Sequence, residues 1–327
     1  MGPRPDDERL PLTAPADELP WPLAPIAARP RLAALLGAVC IAFSGILYRW
    51  AEVTPSTGTV FRALFGLPLL GLVAWLEHRR YGGLPARTIR ISAIAGIFFA
   101  GDLTFWHHAI GAVGAGLATV LGNLSVLVVG VVAWLAFGER PNRATFLALP
   151  VVLVGIVLIS GAIGGASYGP NPGLGVVLGI ACAICYASYL LLIRRGGYDL
   201  RRPAGPVAIA TVSTTVVAVV VGLVIGDLDA TPSLSSLAWL ALLGLTSQSL
   251  GYLLISLSLP RLPAILTSII LLAQPVMTVG LSISLLGEAP SPTQLVGVAL
   301  VIGGIAIASL GGSGSRIRLP RRARAAA

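Results

Sequence analysis

Lysine is absent from this 327-residue chain, and all 22 basic residues are arginine. Charge of either sign is scarce: Asp, Glu, Lys and Arg make up 11% of the residues, against about a quarter in an ordinary soluble domain. So little polar surface cannot coat a water-soluble globule of this size. Cysteine occurs three times, at Cys40, Cys182 and Cys185, always inside apolar segments, which excludes a disulfide framework. The Cys182-x-x-Cys185 spacing is half a zinc site with no second ligand pair, so packing is the expected role. No GxxxxGK[ST] sequence occurs, and direct drive by ATP is not expected. No apolar core near the start suggests a signal peptide.

Apolar residues, at 56%, dominate instead, and the mean hydropathy is +0.89. Runs near the ~20 residues needed to cross a bilayer recur along the chain. They are continuously apolar and do not alternate, which selects helices over a β-barrel. The expected architecture is an all-α integral membrane protein with ten transmembrane helices. These lie near 32–51, 56–77, 89–110, 113–137, 143–160, 173–193, 206–225, 236–258, 262–286 and 291–310. The proline-rich, polar residues 1–31 read as a disordered tail.

The net charge of +9 does not point to nucleic acid, because the arginines lie at helix ends and in the tails. Their distribution sets an orientation. Arg29, Arg31, Arg79, Arg80, Arg87, Arg90, Arg140, Arg143, Arg194, Arg195, Arg201, Arg202, Arg261 and the C-terminal arginines fall to one side. Glu52, Asp227, Asp229 and Glu288 fall to the other, with Arg49. Both termini are thus expected in the cytoplasm. Arginine-only basicity with abundant Ala and Gly suggests a GC-rich bacterium, and so a bacterial inner membrane.

The segment GERPNRATFLALPVVLVGIVLIS at 138–160 lies over GEAPSPTQLVGVALVIGGIAIAS at 287–309, a constant offset of 149 residues. The offset carries back to the third and eighth helices. The chain is expected to divide into a tail (1–31), a first five-helix unit (32–160), an extracytoplasmic linker (161–172), a second unit (173–309) and a basic cytoplasmic tail (310–327). Five is odd, so the second unit enters the membrane from the opposite side. Two inverted five-helix repeats around a midplane site are a common transporter design.

In this the chain resembles the EamA family of the drug/metabolite transporter superfamily. The resemblance rests on the twin units closing on Gly138-Glu139 and Gly287-Glu288, on VFRALFG (60–66) with its arginine, and on Gln274-Pro275. It implies movement of metabolites or drugs, usually export, through a cavity between the repeats. One departure is Val126, which stands opposite Pro275 and implies a stiffer fourth helix in the first unit.

Asp102 and Arg62 are the sharpest candidates for the site. Each lies roughly 10–13 Å below the outer end of its helix. A charge at that depth is paired or faces a cavity. Two readings stand together: an Arg62–Asp102 ion pair that holds helices, and direct contact with substrate. Trp106 shares the face of Asp102 at i+4, and a carboxylate among aromatic rings suits an ammonium group. His107 and His108 do not share that face, which argues against an Asp-His dyad, and adjacent histidines make a poor metal pair. They are expected as interfacial or helix-contact residues; no metal and no cofactor is expected.

Asn123, Ser125, Gln248, Tyr252 and Gln274 are further polar residues near mid-helix, each also suited to binding helices together. Tyr186 and Tyr189 are weaker candidates. Glu139 and Glu288 read as caps or gates. The expected function is a secondary transporter or facilitator that exports small metabolites such as amino acids or related amines, with coupling to protons open. The rival is an intramembrane lipid-modifying enzyme, against which stands the scatter of His, Asp and Cys over different helix faces.

Overall fold

Prolines open four of the helices, at Pro30, Pro55, Pro172 and Pro292. At a first helical position the missing N–H would have had no partner anyway. The computed structural model describes residues 23–137, 143–163, 168–196, 201–258, 261–262 and 264–311. Among them every regular element is helical. A short α1 (Leu23–Ala27) precedes α2 (Pro30–Ala42), α3 (Ser44–Ala51), α4 (Pro55–Tyr81) and α5 (Ala86–Val113). Next come α6 (Ala115–Gly122), α7 (Ser125–Phe137), α8 (Arg143–Ile159), α9 (Pro172–Gly196) and α10 (Ala204–Ile225). Last are α11 (Leu234–Leu243), a π-helical stretch (Gly244–Gly251), α12 (Tyr252–Ser258), α13 (Ala264–Leu286) and α14 (Pro292–Gly311).

Among the described residues, six helical spans are long and apolar enough to cross a membrane, and four shorter apolar helices accompany them. The outward surface is greasy, with Leu223, Val224, Leu147 and Val177 exposed. Polar side chains such as Thr211, Ser247, Gln248, Ser282 and Gln294 are buried instead. That distribution suits a hydrocarbon surround, where polar groups must find partners inside the protein.

Three interruptions matter for the site. The first apolar span bends at Phe43, between α2 and α3. The fourth breaks at Asn123 and Leu124, where the Asn123 side chain donates to the Thr119 carbonyl at 2.8 Å. The eighth widens into the π-helical stretch. The sequence implies a stiffer fourth helix in the first unit because Val126 stands opposite Pro275. The interruption falls beside Asn123, while Pro275 sits within the continuous α13. An asparagine that bonds its own backbone competes with the helix ladder without help from a proline.

Helix pairing is reciprocal. The third span (α5) packs on the sixth (α9), and the eighth (α11, π stretch and α12) packs on the first (α2 and α3). At the contact of α8 with α14, a Cβ on Gly155 would meet the Gly297 carbonyl at 2.7 Å. One on Gly304 would meet Val152 Cγ2 at 2.4 Å, so both helices need glycine there. The pair α4 and α10 is strapped at both ends. Glu77, near the end of α4, takes the amides of Ala204 and Gly205 at 2.8 Å each, capping α10. Asp227, just past the end of α10, takes the Ser56 amide at 3.3 Å, capping α4. Carboxylates suit helix N-termini because four N–H groups lack partners there and the helix dipole is positive.

Candidate functional site

A cavity of about 80 Å³ opens where the spans converge. Arg62, Asp102, Trp106, Asn123, Tyr252 and Gln274 all line it. The elements that deliver them are α4, α5, the break between α6 and α7, α12 and α13. Asp102 and Trp106 stand one turn apart on α5 and both reach the wall, as their spacing requires. Ser125 and Tyr186 also line it, but Gln248 does not: it is fully buried behind Arg62.

Arg62 and Asp102 are 3% and 6% exposed, so both charges are withdrawn from bulk water. The expected direct ion pair between them is not formed. Arg62 Nε donates to Gln248 Oε1 at 3.1 Å, and its guanidinium lies 5.4 Å from the centre of the Trp106 ring. Asp102 Oδ1 accepts from the Cys182 thiol at 3.0 Å. The pairing failed as a sequence inference because each charge has a neutral partner on a helix distant in the chain. Each therefore keeps hydrogen-bonding capacity free for the cavity: the Arg62 Nη groups and Asp102 Oδ2.

Cys182, Thr119 and Ser44 are wall residues that the sequence reading missed. The one available signal for Cys182 was its place within an apolar helix, three residues before Cys185. Nothing local marked it as the partner of an aspartate.

His107 is fully buried, and of its two expected roles, interfacial or helix contact, it takes the second, among α3, α4 and α5. Thr59 donates its only hydroxyl proton to the Pro55 carbonyl at 2.9 Å, so it accepts from His107 Nδ1–H at 2.7 Å. His108 donates Nδ1–H to the Thr104 carbonyl and turns Nε2 towards Asp227 Oδ2 at 3.9 Å. Glu288 is 3% exposed, and its carboxylate caps α6 through the amides of Ala115 and Gly116. Glu139 lies outside the described residues.

Two buried, opposite charges at a small polar cavity inside a bundle of apolar helices are the marks of a membrane transport protein. The profile of the EamA-like transporter family matches residues 30–161 and again residues 173–310. The uncharacterized transporter YwfM of Bacillus subtilis (strain 168) is 22% identical over 264 residues, which cover 79% of this chain and 85% of that protein. A crystal structure of a protein at 21% identity covers 86% of this chain and 98% of its own, with a TM-score of 0.58. At that identity the likeness is one of fold. The chain belongs to the EamA-like transporter family of the drug/metabolite transporter superfamily.

Proposed function

We propose that the protein is a secondary transporter or facilitator that moves small zwitterionic metabolites, amino acids above all, out of a bacterial cell. One observation carries this reading: Arg62 and Asp102 share one cavity without pairing with each other. A solute carboxylate suits the free edge of the guanidinium, and a solute ammonium suits Asp102 beside the Trp106 ring. The cavity volume of about 80 Å³ favours a small metabolite, since pockets for drug-sized ligands run to about 300–1,000 Å³.

Alternating access between two inverted five-helix repeats is the mechanism we assign. Its supports are the offset of 149 residues, the twin family match and the reciprocal packing of the spans. The arginine bias supports cytoplasmic termini and an inner-membrane location. Among the described residues Asp102 is the one carboxylate on the cavity wall, and it is the group that would carry a coupled proton.

The test is a thermal-shift screen of detergent-purified protein against neutral amino acids, amines, quaternary ammonium compounds and sugars. A ligand that binds only the native state raises the unfolding midpoint with concentration. Stabilisation by a neutral amino acid that disappears in Asp102→Asn is the expected result. Proteoliposome efflux should be lost in the same variant while its unfolding midpoint without ligand stays close to that of the parent. Stabilisation by sugars alone, or full efflux by Asp102→Asn, would sink the assignment.

A further inference from the structure

An arginine and an aspartate on adjacent helices, both dry, attract strongly, because the effective dielectric falls well below that of water. In an empty cavity they would be drawn into one ion pair and present no separate handles. Both are restrained by neutral groups on other helices. Cys182 of α9 holds Asp102 through Oδ1 at 3.0 Å, which leaves Oδ2 to the cavity. The thiol is itself confined: a Cβ on Gly122 would stand 3.2 Å from its sulfur, and the side chain is 3% exposed.

Gln248 does the equivalent for Arg62. Its Oε1 accepts from Arg62 Nε at 3.1 Å, and its Nε2 donates to Thr211 Oγ1 at 3.5 Å. Thr211 spends its proton on the Val207 carbonyl at 2.9 Å, so its oxygen can only accept from Gln248. The amide is therefore oriented one way round, with the carbonyl towards the guanidinium. Its position depends on the π-helical stretch, which is packed against α4 at Gly66, where a Cβ would meet Gln248 Cγ at 2.6 Å. Such departures from α geometry recur at functional sites.

We infer that Cys182 and Gln248 are positioning residues: they hold Asp102 and Arg62 apart and so make the cavity select solutes that carry an ammonium and a carboxylate together. This rests on the zwitterion reading above. Neither residue need touch the solute. Each controls one charge, so each should affect one end of the solute only. A residue that merely stabilised the fold would weaken every ligand alike.

The experiment uses detergent-purified full-length protein and isothermal titration with three probes. These are the tightest-binding neutral amino acid, the amine that remains when its carboxylate is removed, and the acid that remains when its ammonium is removed. Cys182→Ala should weaken the amino acid and the amine by about tenfold and leave the acid within about twofold. Cys182→Ser, which restores a donor, should recover most of that loss. Gln248→Leu should show the crossed pattern, weakening the amino acid and the acid but sparing the amine. Thr211→Val, which removes the anchor of the amide together with the local bond to the Val207 carbonyl, should do the same to a smaller degree and covers a failure of Gln248→Leu to fold. Equal losses for all three probes, or no loss, would overturn the positioning role and leave the zwitterion reading standing. A parent protein that binds no amino acid would overturn both.

Discussion

Glu288 Oε1 sits 2.6 Å from the amide nitrogen of Ala115, with Oε2 3.1 Å from that of Gly116. A carboxylate from the loop after α13 thus fills the vacant first turn of α6, a helix 173 residues earlier in the chain. Removal leaves two buried amides without acceptors. Glu288→Ala should therefore cost about 2–3 kcal/mol and lower the unfolding midpoint in detergent. Glu288→Gln keeps one acceptor and should cost less. Equal midpoints for parent and Glu288→Ala would show that the cap contributes nothing.

Gly114, which precedes that turn, has φ of 87° and no room for a methyl group. An added Cβ would lie 2.8 Å from Tyr168 Cε1 and 2.9 Å from Glu288 Cδ. Gly114→Ala should cost about 1–3 kcal/mol in backbone strain and displace the carboxylate as well. Because both changes damage one cap, Gly114→Ala with Glu288→Ala should cost less than the two singly. Additive losses in a double-mutant cycle would refute a shared mechanism.

The two straps on α4 and α10 should differ in strength. Glu77 is 2% exposed and bonds two amides at 2.8 Å, while Asp227 is partly exposed and bonds one at 3.3 Å. Glu77→Ala should cost about 2–3 kcal/mol and Asp227→Ala under about 1 kcal/mol. The check is to compare unfolding midpoints at equal detergent. The reverse order would contradict the geometry.

Gly66→Ala should behave as a weaker copy of Gln248→Leu. The new methyl group would meet Gln248 Cγ at 2.6 Å and push the amide away from Arg62 Nε. Binding of the amino acid and of its carboxylate-only analogue should fall, and binding of the amine should not. An effect on the amine alone would place the disturbance at Asp102.

Much of this architecture could be read in the chain. Helix positions follow from apolar run length and the prolines at helix starts, so spans such as Pro172–Gly196 differ from expectation by a few residues. Asp102, Trp106, Arg62, Tyr252 and Gln274 stood out because polar atoms are costly in hydrocarbon, and they do converge. What could not be read was pairing between distant helices. Cys182 looks like packing until α9 lies beside α5, and Gln248 looks like a wall residue until the π-helical stretch turns it behind Arg62. The break at Asn123 carries no proline, and an asparagine that bonds its own backbone leaves no mark in the sequence that separates it from an asparagine binding a neighbouring helix.

The reciprocal straps bear on which parts can move. With Glu77 fastening one end and Asp227 the other, α4 and α10 form an axle tied at both bearings. Arg62 is mounted on that axle, whereas Asn123 sits at the break between α6 and α7 in another part of the cavity wall. In the alternating access proposed above, a passenger held by Arg62 would stay almost still while the walls swing past it, and the distance travelled belongs to the doors.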